Sequence, residues 1–314
     1  MIAGNTAIRD IEKEGLGETN KMTLSMDDHV QSHIVKVLTE NYKYPLESTI
    51  REAASNAYDS HIMSNKIDTP FHVKLYRNQT GDYNLDIEDF GLGLDEEGFN
   101  KYYMKLGNST KRGVAGVLGF YGCGCKAALS YTDKYEVVCR KDGWERKFLI
   151  FKGEEYPEST KIYEKETTES NGVLVRTVIG RWDYSEARNA IKEQLCYFPT
   201  AFIQIEGDSF NYSEAKIFEN DLFSWSEIYP DRELHINFGK VRYPIDFKIL
   251  KINPIHIPVG IKINPDGIIN PFFNRESLEY TKEAKDIILG KIKEVADYFV
   301  SKYNEQLPDE YDLL

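Results

Sequence analysis

The sequence predicts an α+β protein: a two-layer sandwich of helices over a mixed sheet, then a second, smaller α+β domain. Three observations carry this. Apolar residues are 41% of 314, enough for a packed core at a length that suits two domains or one large one. Helical spacing and strict apolar–polar alternation follow one another through the first 180 residues. A further set of strands and one long helix comes after residue 184.

The elements follow in order. Residues 1–25 are polar and glycine-punctuated, and read as an N-terminal arm. Ile34, Val35, Val37 and Leu38 predict an amphipathic helix from Asp28 to about Asn41. Pro45 and Ser48 open a second helix that runs to about Ser64. Alternation predicts strands over 71–77 and 83–88, with Asn78 to Asp82 as the hairpin turn. A short helix is expected from Asp95 to Lys105, and residues 106–124, rich in Gly, Ser and Thr, read as a mobile loop. Strands near 135–140 and 145–151 flank a second hairpin at Lys141 to Trp144, and 173–179 closes the sheet. The boundary is placed at 181–185, giving domains of 26–183 and 184–306. The second holds a helix at 184–197, strands at 201–206, 233–238 and 255–263, and a helix over 281–303. Residues 307–314 form an acidic tail.

Composition narrows the function. The net charge of −12 argues against the whole chain binding nucleic acid. No run of about 18 apolar residues exists, so no spanning helix is expected. Met1 to Thr6 lack a basic region followed by an apolar stretch, so no signal peptide is expected. Four cysteines do not make a disulfide framework and suit a reducing, cytoplasmic setting. Cys123-Gly-Cys125 lacks a second Cys/His pair nearby and makes a poor zinc site.

Three segments carry chemistry. In Glu52-Ala-Ala-Ser-Asn56-Ala-Tyr-Asp59 the polar residues fall at i, i+4 and i+7, on one helix face. ATP hydrolysis needs a base or orienter for water and a ligand for Mg²⁺. Glu52 fits the first role. Asn56, a neutral oxygen donor, fits the second. A solvated polar helix face would show the same pattern. In Asp89-Phe-Gly91-Leu-Gly93 a carboxylate follows a strand, placed to accept from an adenine amino group. Gly91 and Gly93 let backbone approach without a Cβ. An ordinary Asp-x-Gly turn is the alternative. Gly116, Gly119, Gly122 and Gly124 then precede a helical run, and backbone amides in such a loop bind phosphate. Lys126 is either a cation near that site or a surface side chain that snorkels. The loop matches neither a Walker A nor a Rossmann pattern.

Taken together, in this order, the segments resemble the GHKL ATPases, the superfamily of gyrase, Hsp90, histidine kinases and MutL. Leu118 to Lys134 is similar to the glycine loop of Hsp90. It is still more similar to that of the rapid-lysis A (rIIA) proteins of T4-like phages. Arg51 to His61 also resembles the helix of the latter. The resemblance spans about residues 20–180 and continues more weakly to about 295. It implies a Bergerat-type fold with Mg²⁺ and ATP as ligands. Asp59 joins the nucleotide contacts, and Ser109, Thr110 and Lys111 match the segment that opens the lid. Asn274-Arg275-Glu276-Ser277-Leu278 resembles a stretch of the Hsp90 middle domain. That likeness implies that Arg275 reaches the γ-phosphate, where a planar, permanent cation suits developing charge. Many members carry Gly-Thr after the sheet. Here Gly172 is followed by Val173, so Asn171 or a water stands in at the adenine pocket.

The expected protein is a slow ATPase whose 100–124 lid closes on Mg²⁺–ATP. Its partners are ATP and ADP, a host or phage protein, and a second copy through exchange of the N-terminal arm. The resemblance implies action in an infected host's cytoplasm, near its membrane, on lysis timing or host defence. The alternatives are a nucleotide-gated protein-binding switch with negligible turnover and a MutL-like DNA-repair ATPase.

Overall fold

The computed structural model describes residues 42–105, 118, 124–154, 156–198, 200–229, 232–264, 268–272 and 274–306. The expected arm, the helix at 28–41, most of the 106–124 loop and the acidic tail lie outside these residues.

The chain is α+β. A seven-stranded sheet has the order β5-β4-β3-β6-β2-β1-β7. Its strands are β1 (Phe71–Arg77), β2 (Tyr83–Glu88), β3 (Lys134–Lys141), β4 (Trp144–Lys152), β5 (Pro157–Glu166), β6 (Gly172–Ile179) and β7 (Ala201–Ile205). Every pairing is antiparallel except β1 with β7, which is parallel, so the sheet is mixed. Alternation sorts its faces. Phe71, Val73 and Leu75 of β1 and Leu85 and Ile87 of β2 are buried. They join Leu46, Ile50, Ala54 and Ala57 of helix α1 (Pro45–Met63) in one core. Leu46 is 1% exposed, so its replacement by alanine costs about 2–5 kcal/mol. Helix α2 (Glu96–Tyr102), capped by the Asp95 carboxylate on the Gly98 amide, buries Phe99 against Phe148. Helix α3 (Ala128–Tyr131) adds Leu129 to that second cluster. On the opposite face Arg176 grips Asp86 with two hydrogen bonds of 2.7 Å each.

Helix α4 (Tyr184–Leu195) packs on α1, and β7 follows it. Here the structure departs from the sequence reading. Residues 201–206 were expected in the second domain, but β7 returns to pair with β1 along 71–75. The first layer therefore extends past the expected boundary at 181–185. Its alternation reads alike in either sheet, so pattern alone does not choose the partner.

The second sheet has five strands in the order β11-β10-β12-β9-β8. These are β8 (Ile217–Glu219), β9 (Phe223–Ser226), β10 (His235–Phe238), β11 (Val241–Pro244) and β12 (Gly260–Ile263). A short helix α5 (Phe247–Leu250) and the long helix α6 (Lys282–Gln306) complete this unit. Ala284, Ile288 and Val295 of α6 belong to the core, and Phe299 stacks on Phe223. Among the described residues, no helix is long and apolar enough to cross a membrane.

Candidate functional site

Helix α1 positions the first group of side chains. Its apolar face is fixed in the core, and Glu52 and Asp59 lie against described residues of the glycine loop, Gly124 and Leu118. Glu52 is 6% exposed and Asp59 is fully buried, while Asn56 is half-buried. Carboxylates enter a helix interface only with partners, so the reading of a solvated polar face fails here. Asp59 Oδ1 accepts the Leu118 amide at 2.6 Å. Glu52 Oε2 accepts from Arg275 Nη1 at 3.0 Å. Its other oxygen, Oε1, lies 3.8 Å from Arg51 Nε and has no hydrogen-bond partner.

The end of the glycine loop meets this carboxylate. A Cβ placed on Gly124 would fall 2.0 Å from Glu52 Oε2. Only a glycine lets the chain pass that close. A 3-10 turn over Gly124–Lys126 leads from there into α3. Ser109, Thr110, Lys111, Gly119 and Gly122 lie outside the described residues.

Lys126 is buried and donates to the carbonyls of Tyr102 at 3.3 Å and Lys105 at 3.0 Å. The surface reading of this residue is therefore wrong. Its ammonium sits at the carboxyl end of α2, where a cation complements the helix dipole. Two of its three donors already have acceptors.

Asp89 follows β2 and is 5% exposed. Its Oδ1 accepts from Ser60 Oγ and from the Gly91 amide, both at 2.9 Å. Burial pushes its carboxyl up to about 6, against the opposing pull of Gly91, Ser60, the Val173 backbone and Arg140. This carboxylate is buried and hydrogen-bonded, where an ordinary surface Asp-x-Gly turn would be solvated. Protein closely approaches both flanking glycines. A Cβ on Gly91 would meet Ser60 Oγ at 2.2 Å. Gly93, at φ +64°, would meet the Arg140 carbonyl at 2.0 Å. Asn171 exchanges hydrogen bonds with Asp142 at the neighbouring hairpin turn. In this arrangement its side chain fastens two turns together.

Sequence reasoning assigned no role to four further residues. Ser60 and His61, at the end of α1, hold the Asp89 turn. Ser60 Oγ also accepts the Leu92 amide at 3.1 Å. His61 Nε2 accepts the Phe90 amide at 2.8 Å, which makes Nδ1 the protonated nitrogen and sets it to donate to the Thr69 carbonyl at 2.8 Å. Burial, reinforced by Lys66 and His72 and opposed by the Thr69 carbonyl, lowers its pKa and keeps the ring neutral. Arg51 bonds Ser48, Gln194 and the Asn274 carbonyl. Glu276 touches the start of α1. The visible signal for these four was adjacency: each stands next to, or within, a segment already singled out.

Arg275 comes from the segment between β12 of the second sheet and α6. Pro271 pairs with Leu278, and the Glu279 amide bonds the Asn270 carbonyl, so residues 270–279 form a narrow loop. Its tip lies on α1. Arg275 has φ +55°, uncommon for a side-chain-bearing residue, and is 5% exposed. Burial opposes its charge, but Glu52 and Tyr243 hold the guanidinium firmly protonated. Among the described residues, no group of three or more His, Cys, Asp or Glu side chains converges on a metal-binding geometry.

A helix-borne carboxylate, the end of a glycine loop and a buried aspartate at a strand end lie together beside an α+β sheet. Residues 44–174, less than half of the chain, match the family described as histidine kinase-, DNA gyrase B- and HSP90-like ATPase. The match supports the GHKL superfamily for this region, and ATP binding is the activity expected of such a domain. A comparison with curated proteins gives no match.

Proposed function

We propose that the chain binds Mg²⁺–ATP between α1, the glycine loop and the Asp89 turn, and hydrolyses it slowly. One observation supports this most: the buried Glu52 carboxylate, held by Arg275 and touched by Gly124, keeps Oε1 without a hydrogen-bond partner. That free acceptor suits a base or orienter of water. The half-buried Asn56 amide, one turn further on, is the residue to hold Mg²⁺, which when bound neutralises phosphate charge. Asp89 Oδ2 accepts the adenine amino group while Ser60 and Gly91 fix Oδ1. Arg275 answers charge at the γ-phosphate. Gly119, Gly122 and the Ser109 to Lys111 segment complete the phosphate end, with Lys126 securing the loop's far anchor.

The same reading extends to a lid over 100–124, an ATP-dependent homodimer and a cytoplasmic setting. A role in phage lysis timing or host defence rests on the likeness of the glycine loop to rIIA proteins. The test is ATP turnover by the purified chain and by Glu52→Ala. The variant is expected to bind ATP near normally and to turn over about 10²–10⁴-fold more slowly. Equal rates would place the base elsewhere.

A further inference from the structure

The carboxylate of Glu276 sits at the start of α1. Its oxygens accept the Lys43 amide at 3.1 Å, the Tyr44 amide at 2.6 Å and the Ser48 hydroxyl at 3.5 Å. Helix α1 supplies no cap of its own. Tyr44 occupies the N-cap position without a side-chain hydrogen bond, and Pro45 has no N–H. Glu276, more than 230 positions away, instead accepts the amide of the N-cap residue and of the residue before it, and sets a negative charge at the positive end of the helix dipole. Glu276 is itself held, because Asn274 Nδ2 donates to it at 2.7 Å. The Asn274 carbonyl takes Arg51 Nη2 at 3.2 Å. Between them Arg275, turned back by its positive φ, reaches Glu52 two turns into the helix. Three consecutive residues of one loop tip therefore grip α1 at separate points. Tyr44 and Glu52 lie about 12 Å apart along the helix axis. The tip cannot shift without breaking these bonds or carrying the helix with it.

We propose that Glu276 is the positioning residue through which the second domain sets α1, and so aligns Glu52 with Arg275. It touches no nucleotide in this scheme. The proposal rests on the ATPase reading for its effect on turnover, but not for its effect on the helix.

The test uses the full chain carrying Glu276→Ala, Glu276→Gln, Arg275→Ala and the Glu276→Ala/Arg275→Ala pair. Glu276→Ala is expected to slow turnover about 10- to 100-fold, as a small misplacement of reacting groups does, with ATP and ADP affinity held within about twofold. Glu276→Gln, which keeps one acceptor oxygen, should recover part of the rate. In the pair, the loss should equal that of Arg275→Ala alone, since both act through one contact. Hydrogen exchange of the Lys43 and Tyr44 amides should quicken about 5- to 10-fold in Glu276→Ala. Losses that multiply in the pair, a matching fall in ADP affinity, or unchanged exchange would each overturn the proposal. If the wild-type chain binds ATP without hydrolysing it, the ATPase reading falls alone, and the exchange measurement decides the role of Glu276.

Discussion

Arg275 and Glu52, 223 positions apart in the chain, meet through a 3.0 Å hydrogen bond with both side chains buried. Each group is costly to leave alone there. A buried carboxylate without its cation and a buried guanidinium without its anion both lack the water that would replace the partner. The pair therefore joins two properties that are usually separable. It holds the 270–279 loop against α1, and it fixes the orientation of the proposed base. Under the proposed function ATP would bring a second anion to Arg275, so the arginine would have two acceptors to divide between only when a γ-phosphate is present.

Arg275→Ala is expected to slow turnover about 10- to 10³-fold, below the range for arginine fingers supplied by a partner. ADP affinity should be retained, because ADP lacks the phosphate that the side chain meets. The variant should also lose stability, by about 3–5 kcal/mol, since Glu52 stays buried without that partner. Arg275→Met with Glu52→Gln removes both charges and should recover much of that loss. Urea unfolding of the single and double variants checks it. A double variant no more stable than the single one would mean that the buried pair does not couple the 270–279 loop to α1.

Asp89 gives a pH prediction with a defined sign. Its pKa is raised to about 6, mainly by burial, from 3.8. As the proposed adenine acceptor it must be ionised, so ADP affinity should be level above about pH 7 and weaken by about tenfold per unit below 6. Stability of the nucleotide-free protein moves the other way for this group. Between pH 6 and 3.8 the folded form holds the extra proton, so acidification through that window relieves the buried charge. His61 opposes this: its lowered pKa means that stability is lost as pH falls below 6.5, when the unfolded ring protonates first. Asp89→Asn should weaken ADP about 10- to 100-fold and abolish the acid loss of affinity. Calorimetry from pH 5 to 8 tests both. A parallel pH profile in wild type and variant would exclude Asp89 as the acceptor.

Much of this was legible in the sequence. The helix at 45–63, the two hairpins and the long last helix show clear periodicity, and the five-residue resemblance singles out Arg275, which the structure places on Glu52. Strand β5 was not. Its sequence, Pro157 to Glu166, is largely charged and exposed, with Ile162 51% exposed, because it is an edge strand with little to bury. Strand β7 was seen but given to the wrong sheet, since alternation reports burial and not pairing. Lys126 illustrates a further limit. A lysine after a glycine loop suggests phosphate, and nothing local reveals that two carbonyls over 20 residues earlier take its ammonium. Ser60, His61 and Glu276 act on backbone amides, which any sequence supplies everywhere.

Lys126→Met separates the two roles that this lysine has been given. Methionine keeps the apolar stem but leaves the Tyr102 and Lys105 carbonyls without their donor. The expected cost is about 1–3 kcal/mol, seen as a lower urea midpoint with an unchanged slope. ADP affinity should stay within about twofold of wild type. A tenfold loss of ADP affinity with unchanged stability would instead put the ammonium on phosphate.

Gly124→Ala probes the point where loop and base meet. The new methyl would lie 2.0 Å from Glu52 Oε2, 2.8 Å from its Cδ and 3.2 Å from its Cγ. Atoms do not approach so closely, so one side must give. The loop continues into the buried 3-10 turn and α3, whereas the Glu52 side chain rotates about its own bonds. The carboxylate is therefore the group that moves, and moving it lengthens the 3.0 Å contact with Arg275. Turnover should fall about 10²-fold, the usual penalty for displacing a reacting group by about an ångström. Adenine contacts at Asp89 are untouched, so ADP affinity should hold. In a Glu52→Ala background the same change should have no further effect on rate, because the group it displaces is gone. Equal turnover in Gly124→Ala and wild type would show that the glycine loop and Glu52 do not meet in the working enzyme. A further loss in the Glu52→Ala background would show that the methyl acts on the phosphates instead.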